Sequence, residues 1–374
     1  MTKRIGILTA GSDSPGLNAT IRGIGKAAQG AFGMELIGFT DGFQGLIEDQ
    51  SIEIIGSELS GILTDGGTIL GTSRDSVENY PAEDGKFEDR TDQAVETYKK
   101  HKLNALVCLG GHETQASALI LKNRGLNILT IPKSITNNIA ETDTAVGFDS
   151  ALGVATEAID RLHSTAHSHH RIMIVEIMGR EAGWLTLGAG ISGGADVILI
   201  PEIPYDPEVV AKAINNRRSS GKRFSIVAVA ESAMSLDYVE FFEHSHKMNE
   251  RLRTGDDQSE IAQQLERIQN QMQGNTLLLA DRLRTFTGLE TRVTILGHLL
   301  RGGAPSSADR LLATQLGTMC AEMIHKGKFG VMIAMQSGHT AAVPLENVAG
   351  KTKKIPLDHP WILGAKRVGT VFGD

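Results

Sequence analysis

A chain of 374 residues, 41% hydrophobic and 22% charged, carries enough apolar material for a buried core and has the length of two domains. Its formal charge of −7 is spread along the sequence with no basic stripe, which argues against a nucleic-acid partner. No apolar run approaches the roughly 18 residues of a membrane span, which argues against a membrane partner.

In chain order, "MTKRIGILTAG" enters a strand at once (4–9) and leaves no room for a signal peptide. Its glycine turn, "AGSDSPG", opens a helix near Pro15. A second glycine loop, "GGTILGTSR", ends in Arg74. The run "ALVCLGG" (105–111) predicts a strand whose turn carries His112 and Glu113, with Thr114 opening the next helix. "NILTIP" (127–132) leads into "PKSITNN", and "SALGVATEAIDRLHSTA" (150–166) has a helical pattern. Further strands are predicted at "RIMIVEIMG" (171–179), "DVILIPE" (196–202), "FSIVAVAE" (224–231), "RVTILGH" (292–298) and "GVMIAM" (330–335). Between them, Met248–Gly274 is polar, with Ile261, Leu265, Ile268 and Met272 on one helical face, either packed on its own subunit or docking a partner.

Apolar runs without alternation suit strands covered on both faces, so the pattern predicts an α/β protein with doubly wound parallel sheets. Cys108 and Cys320 lie far apart in apolar contexts, as reduced core thiols of a cytoplasmic protein would. In such folds the chemistry sits at the carboxyl ends of strands, where the glycines of this chain cluster. A helix N-terminus after a glycine turn favours an anion, and Arg74 can bridge anionic oxygens through its planar fork. Neither the G-x-G-x-x-G spacing nor the G-K-[ST] pattern is present, so the loops read together as a phosphate cradle of another kind. In "HSTAHSHH", His163, His167 and His170 share a helical face; packing is the expected role, with zinc binding as the alternative.

The ordered set "GSDSPGLNATIRG", "GGTILGTSR", "GGHET", "PKSITNN", "SHHRIMIVEIMGREAGWLTL", "VAVAE" and "RVTILGHLLRGGAPSSADR", with the tail "VPLENVAGKTKKIPLDHP", resembles the phosphofructokinase family. Lys133 and the form of the tail resemble its bacterial branch that mixes ATP- and pyrophosphate-dependent members. The resemblance implies two phosphofructokinase-like lobes, residues 1–147 with 300–350 for the phosphoryl donor and 148–299 with 351–374 for the sugar phosphate. It implies that Arg171 and Arg292 reach the 6-phosphate of a neighbouring subunit, while His298 and Arg301 hold that of their own. Ser134, Met178, Gly179, Arg180 and Glu231 then contact the sugar, and Arg74 and Arg180 the phosphoryl region. Gly11, Arg74, Glu113, Thr114 and Lys133 fall in the donor site. A homotetramer is implied, with a dimer as the alternative.

Four positions depart from the family pattern. His112 stands where an aspartate helps hold Mg²⁺, Thr136 replaces the catalytic base and Asn138 a second aspartate; Ser12 replaces a glycine. A general base is worth ~10²–10⁴ in rate, and Thr136 cannot accept a proton near neutrality. Two readings follow from the residues. The first is a non-catalytic or regulatory homologue that keeps a fructose 6-phosphate pocket and assembles with an active relative, with the family's Mg²⁺ and ATP or pyrophosphate not expected to act. The alternative is an active 6-phosphofructokinase using ATP or pyrophosphate with relocated acids such as Glu113; Asp13, Glu141 and Asp143 are the other acids near these loops.

Overall fold

The computed structural model describes residues 2–82, 86–239 and 275–374. The expected Met248–Gly274 helix lies outside the described residues. The chain divides into two compact units, Met1–Ala151 with Arg301–Lys353, and Leu152–Leu300 with Lys354–Asp374.

The first unit is built on a seven-stranded sheet and a separate two-stranded pair. In chain order these are β1 (Arg4–Ala10), β2 (Glu35–Phe39), β3 (Ser51–Glu53), then a two-stranded pair β4 (Tyr80–Pro81) and β5 (Phe87–Glu88) outside the sheet. They are followed by β6 (Ala105–Gly110) and β7 (Ile128–Pro132), and, late in the chain, by β12 (Val331–Gln336) and β13 (His339–Pro344). The sheet order is β13-β12-β7-β6-β1-β2-β3. Helices α1 (Leu17–Phe32) and α9 (Ser307–His325) cover one face, over Ile5, Ile7, Leu129 and Ile131. The opposite face, with Leu8, Leu106, Cys108 and Ile128, packs beneath α2 (Phe43–Glu48), α3 (Thr91–Lys100) and α4 (His112–Asn123). Because both faces are covered, β1 and β6 read as unbroken apolar runs. The two cysteines lie in different layers, unpaired, and burial raises the pKa of both thiols. Where α1 crosses α9, a Cβ on Gly317 would lie 2.7 Å from the Ile24 nitrogen, so only glycine admits that approach.

Five strands run parallel, but both edges do not: β2–β3 and β12–β13 pair antiparallel. The expected α/β fold with parallel sheets is present, with an antiparallel strand added at each edge of this sheet. Ser337 (φ 51°) and Gly338 (φ 78°) form the two-residue turn between β12 and β13, and positive φ at both positions is the hairpin geometry whose twist matches the strands.

The second unit begins with most of α5 (Phe148–His169) and carries β8 (Ile172–Ile177), α6 (Trp184–Ser192), β9 (Val197–Leu199), α7 (Pro207–Ser219) and β10 (Ser225–Ala230). Then come α8 (Asn275–Thr287), β11 (Thr291–Ile295) and the tail helix α10 (Pro360–Arg367). Its four strands, β11-β8-β10-β9, are all parallel. The tail is held by Glu202, whose carboxylate accepts from Gly183 and Ile355 nitrogens at 3.1 Å, and Val371 bridges Val197.

In the first unit the start of α5 is tied to α9 by Asp309. This carboxylate, almost fully buried, accepts from the Gly147 nitrogen (2.9 Å), the Ser150 nitrogen (2.8 Å) and the Ser150 hydroxyl (2.5 Å). It satisfies N–H groups that a helix start leaves without internal partners. Ser306, the cap of α9, accepts from the Asp309 nitrogen and donates to Asp149.

Candidate active site

Three neighbouring strands of the first unit end at one level. Ala10 of β1 pairs with Gly110 of β6, and Gly110 with Pro132 of β7. The glycine turn after β1, the Gly111–His112 turn and the "PKSITNN" turn therefore open side by side. Gly111 caps α4 without a side-chain hydrogen bond, and a helix start of this kind favours an anion. The Thr114 side chain packs over Gly110, where a Cβ would lie 2.1 Å from its hydroxyl.

Consecutive carbonyls of the first turn are gripped by three separate segments. The Thr72 hydroxyl donates to Gly11 O (2.6 Å), Lys133 Nζ to Ser12 O, and Arg301 Nη1 to Asp13 O (3.1 Å). The Gly11 nitrogen donates to Ser73 O at 2.7 Å, which brings Arg74 to the same place. Gly11 adopts φ 81°, and a Cβ there would lie 3.5 Å from Lys133 Nζ. Lys133 itself is buried, at 5% exposure. Burial, then the Arg301 and Arg74 charges, push its ammonium down to about 7, against the opposing pull of Asp13.

The turn beyond is closed by its own side chains. Ser134 Oγ donates to Asn138 Oδ1 (2.7 Å), lies 3.2 Å from Thr136 Oγ1 and accepts from the Thr136 nitrogen. Asn137, at φ 51°, spans the loop through Asp143 O (3.1 Å) and the Ala145 nitrogen (3.0 Å). Thr136 and Asn138 are half-buried. Glu113, the acid proposed for relocation, is exposed on the first turn of α4, where its charge complements the helix dipole. His112 is half-buried beside it.

Lys353 was not singled out from the sequence. Its Nζ donates to Thr142 O (2.7 Å) and Asp143 O (2.9 Å), and its nitrogen to Asn138 O (2.9 Å), clamping the "PKSITNN" loop. Burial lowers its pKa from 10.5 to about 8, against the attraction of Asp143. An ammonium depressed by folding stabilises the native state in full only above its unfolded value near 10.5, and that share is lost as pH falls through about 8. Urea midpoints of the wild type should therefore gain a rising component between pH 8 and 10.5, and Lys353→Met should remove it. An unchanged slope in the variant would rule out the clamp as a buried ammonium.

In the second unit the sugar-phosphate residues fall at two ends of one sheet. Gly179 and Glu231 follow the carboxyl ends of β8 and β10: the Gly179 nitrogen donates to Glu231 Oε1 (3.4 Å) and Ser232 Oγ to Gly179 O. Met178 is half-buried there and Arg180 exposed. Arg171 and Arg292 lie at the opposite end, beside the first residues of β8 and β11. Both are held by Glu290, through Arg171 Nε at 2.5 Å and through Arg292 Nη2. A six-residue strand spans about 20 Å, so these arginines and Glu231 do not meet within one chain. His298 is exposed. The histidine stripe packs: His163 Nε2 lies 2.7 Å from Gly193 O, and the His163 and His167 rings flank Phe224.

Residues 4–324 match the family model described as phosphofructokinase. The chain belongs to the phosphofructokinase family. It is 51% identical to an ATP-dependent 6-phosphofructokinase of Propionibacterium freudenreichii, with 100% of each chain covered. It is 47% identical to one of Spirochaeta thermophila, over 100% of this chain and 98% of that one. Among solved structures, phosphofructokinase of Saccharomyces cerevisiae superposes with a TM-score of 0.75 at 27% identity, over 92% of this chain and 45% of that one. This chain thus spans under half the length of the yeast chain. A pyrophosphate-dependent phosphofructokinase from Marinobacter aquaeolei shares the fold, with a TM-score of 0.76 at 19% identity over 96% and 88%.

These findings correct the first reading drawn from the residues. Relatives 40–51% identical along the whole chain are named as ATP-dependent enzymes, which overturns a non-catalytic or regulatory homologue and favours the active alternative. The earlier inference weighed single positions and left out how closely the entire chain follows active relatives.

Phosphofructokinase membership implies a sugar phosphate, ATP or pyrophosphate as donor, and Mg²⁺. The turn suits an anion such as the donor's phosphates: a helix start without a side-chain cap bond, and a buried ammonium near Arg74. It does not suit a metal held by the protein. Mg²⁺ wants hard oxygen ligands, commonly one or two carboxylates besides phosphate and water. Among the described residues no three His, Cys, Asp or Glu side chains converge, and the expected acid positions carry His112, Thr136 and Asn138.

Proposed function

We propose that this phosphofructokinase transfers the terminal phosphoryl group of ATP to the 1-hydroxyl of fructose 6-phosphate. The observation that carries the reading is its 51% identity, end to end, with a relative named ATP-dependent 6-phosphofructokinase. The geometry supports it: a cationic phosphate cradle at the strand ends of one unit, and a Gly179–Glu231 pair at those of the other. In this reading Gly11, Arg74, Thr114 and Lys133 bind the donor. Ser134, Met178, Gly179, Arg180 and Glu231 orient the sugar, with the Glu231 carboxylate accepting from its hydroxyls. His298 and Arg301 take the 6-phosphate from their own subunit.

Phosphoryl transfer passes through a loose transition state and is driven mainly by positioning and by charge stabilisation. The hydroxyl proton leaves late in such a step. A turn without a carboxylate at Thr136 therefore lowers the rate without removing the reaction.

The same reading makes the protein a homo-oligomer. Arg171 and Arg292 lie about a strand length from Glu231 in their own chain, so they serve a site in a second copy, in a tetramer or a dimer.

A coupled assay of the purified protein with fructose 6-phosphate and Mg²⁺, offering ATP and pyrophosphate separately, tests the proposal. Turnover with ATP is the expected result. Turnover with pyrophosphate alone would reassign the donor, and none with either would overturn the activity.

A further inference from the structure

The loop from the end of β8 to the start of α6 has a glycine near each end, Gly179 and Gly183. Glycine carries no side chain to restrict its own rotation, so such ends act as hinges unless something outside the loop holds them. Here each is held by a neighbouring strand end. After β9, the Glu202 carboxylate accepts from the Gly183 nitrogen at 3.1 Å. After β10, Glu231 Oε1 accepts from the Gly179 nitrogen at 3.4 Å, and the next residue, Ser232, donates its hydroxyl to the Gly179 carbonyl.

The two bonds on Gly179 are unequal. A 3.4 Å contact is long for N–H···O, so Glu231 alone is a loose tether, and the hydroxyl bond is the tighter of the two. Ser232 is 8% exposed, which keeps water from taking over as donor to that carbonyl. Gly179 cannot be stiffened by a larger residue, because a Cβ there would lie 3.0 Å from Ala182 O. The peptide that follows is trans and planar, so a hydroxyl that fixes the Gly179 carbonyl also fixes the direction in which Arg180 leaves it.

We propose that Ser232 is a positioning residue whose hydroxyl locks the Gly179–Arg180 peptide, so that Arg180 and the Glu231 carboxylate are set in place before a sugar phosphate arrives. The inference rests on the sugar-site assignment made under the proposed function and adds to it a residue that need not touch the substrate. A loop ordered in advance lowers the ordering cost of binding, and a reacting group held in line keeps the rate, since a misplacement of about 1 Å can cost ~10²-fold.

Calorimetric titration of fructose 6-phosphate into the purified full chain is the first test. Ser232→Ala should raise the dissociation constant ~tenfold, the effect of stranding one buried acceptor. Its kcat should fall ~tenfold or more as Arg180 loses its direction, while KM for ATP stays within about twofold of wild type. A residue that only stabilises the fold would lower the melting temperature and leave these constants unchanged, so unaltered sugar binding would overturn the proposal. Ser232→Thr returns the hydroxyl and should bind the sugar within about threefold of wild type. A threonine variant that melts with wild type yet binds as weakly as the alanine one would count equally against it.

Hydrogen exchange of peptides covering residues 178–183, read by mass spectrometry without ligand, is the second test and needs neither binding nor turnover. The Gly179 amide, bonded to Glu231 in the wild type, should exchange at least ~tenfold faster in Ser232→Ala. Equal exchange would sink the assignment. Faster exchange in a chain that binds no fructose 6-phosphate would leave the lock standing and refute the kinase reading alone.

Discussion

Thr136→Asp is expected to raise kcat with ATP and fructose 6-phosphate by ~10²-fold or more, the usual worth of a positioned general base. Thr136 occupies the base position of the phosphofructokinase pattern, in a turn whose backbone needs no change to accept the acid. Its nitrogen is held by Ser134 Oγ, and the loop around it is fixed by Asn137 and Lys353. The side chain is half-buried, so a carboxylate there keeps access to solvent and avoids the full cost of burial. Because the surrounding positioning stays intact, the gain should appear in kcat while KM for the sugar changes little. Steady-state kinetics of the variant beside wild type decide the point. An unchanged kcat would mean that the proton leaves by a route not involving this turn.

The largest expected loss of stability belongs to Asp309→Ala. Asp309 accepts three hydrogen bonds in a buried setting, two of them from backbone nitrogens at the start of α5. Removing the carboxylate strands those donors, each at ~1–3 kcal/mol, and opens a small void. A total of roughly 3–5 kcal/mol follows, a large share of the margin of an ordinary domain. Burial raises the pKa of this carboxyl, despite its partners at Ser150 and Gly147. A raised acid contributes stability in full below its unfolded value, and that part is lost as pH rises through the folded one. Urea denaturation of Asp309→Ala should show the loss directly. Asp309→Asn keeps an acceptor and should lose much less, so equal losses in the two variants would refute the hydrogen-bond account.

Much of the architecture was legible in linear order. The run "RIGILT" announced a strand covered on both faces, and the glycines after β1 and β6 marked strand ends, because burial and turn geometry act on adjacent residues. The antiparallel edge was less visible: the Ser337-Gly338 turn is a short signal, and β13 carries only partial burial to mark it. Lys353, Glu202 and Asp309 were not singled out at all. Each works through a partner more than 150 residues away, and no local pattern encodes such a pairing. Individual positions also misled, since the three missing acids at His112, Thr136 and Asn138 outweighed the agreement of the remaining chain.

The amino-acid order by itself determined the α/β class, the family and the chemical kinds gathered near the site: glycines, cations, and few acids in the turns. Only the tertiary structure decided that Ala10, Gly110 and Pro132 end at one level, that Lys133 is buried beneath the first turn, and that Arg171 and Glu231 stand apart. The reason is physical. Composition and periodicity record what each residue prefers from its neighbours along the chain, whereas strand register and long-range packing set which charges share a space and how far water is kept from them.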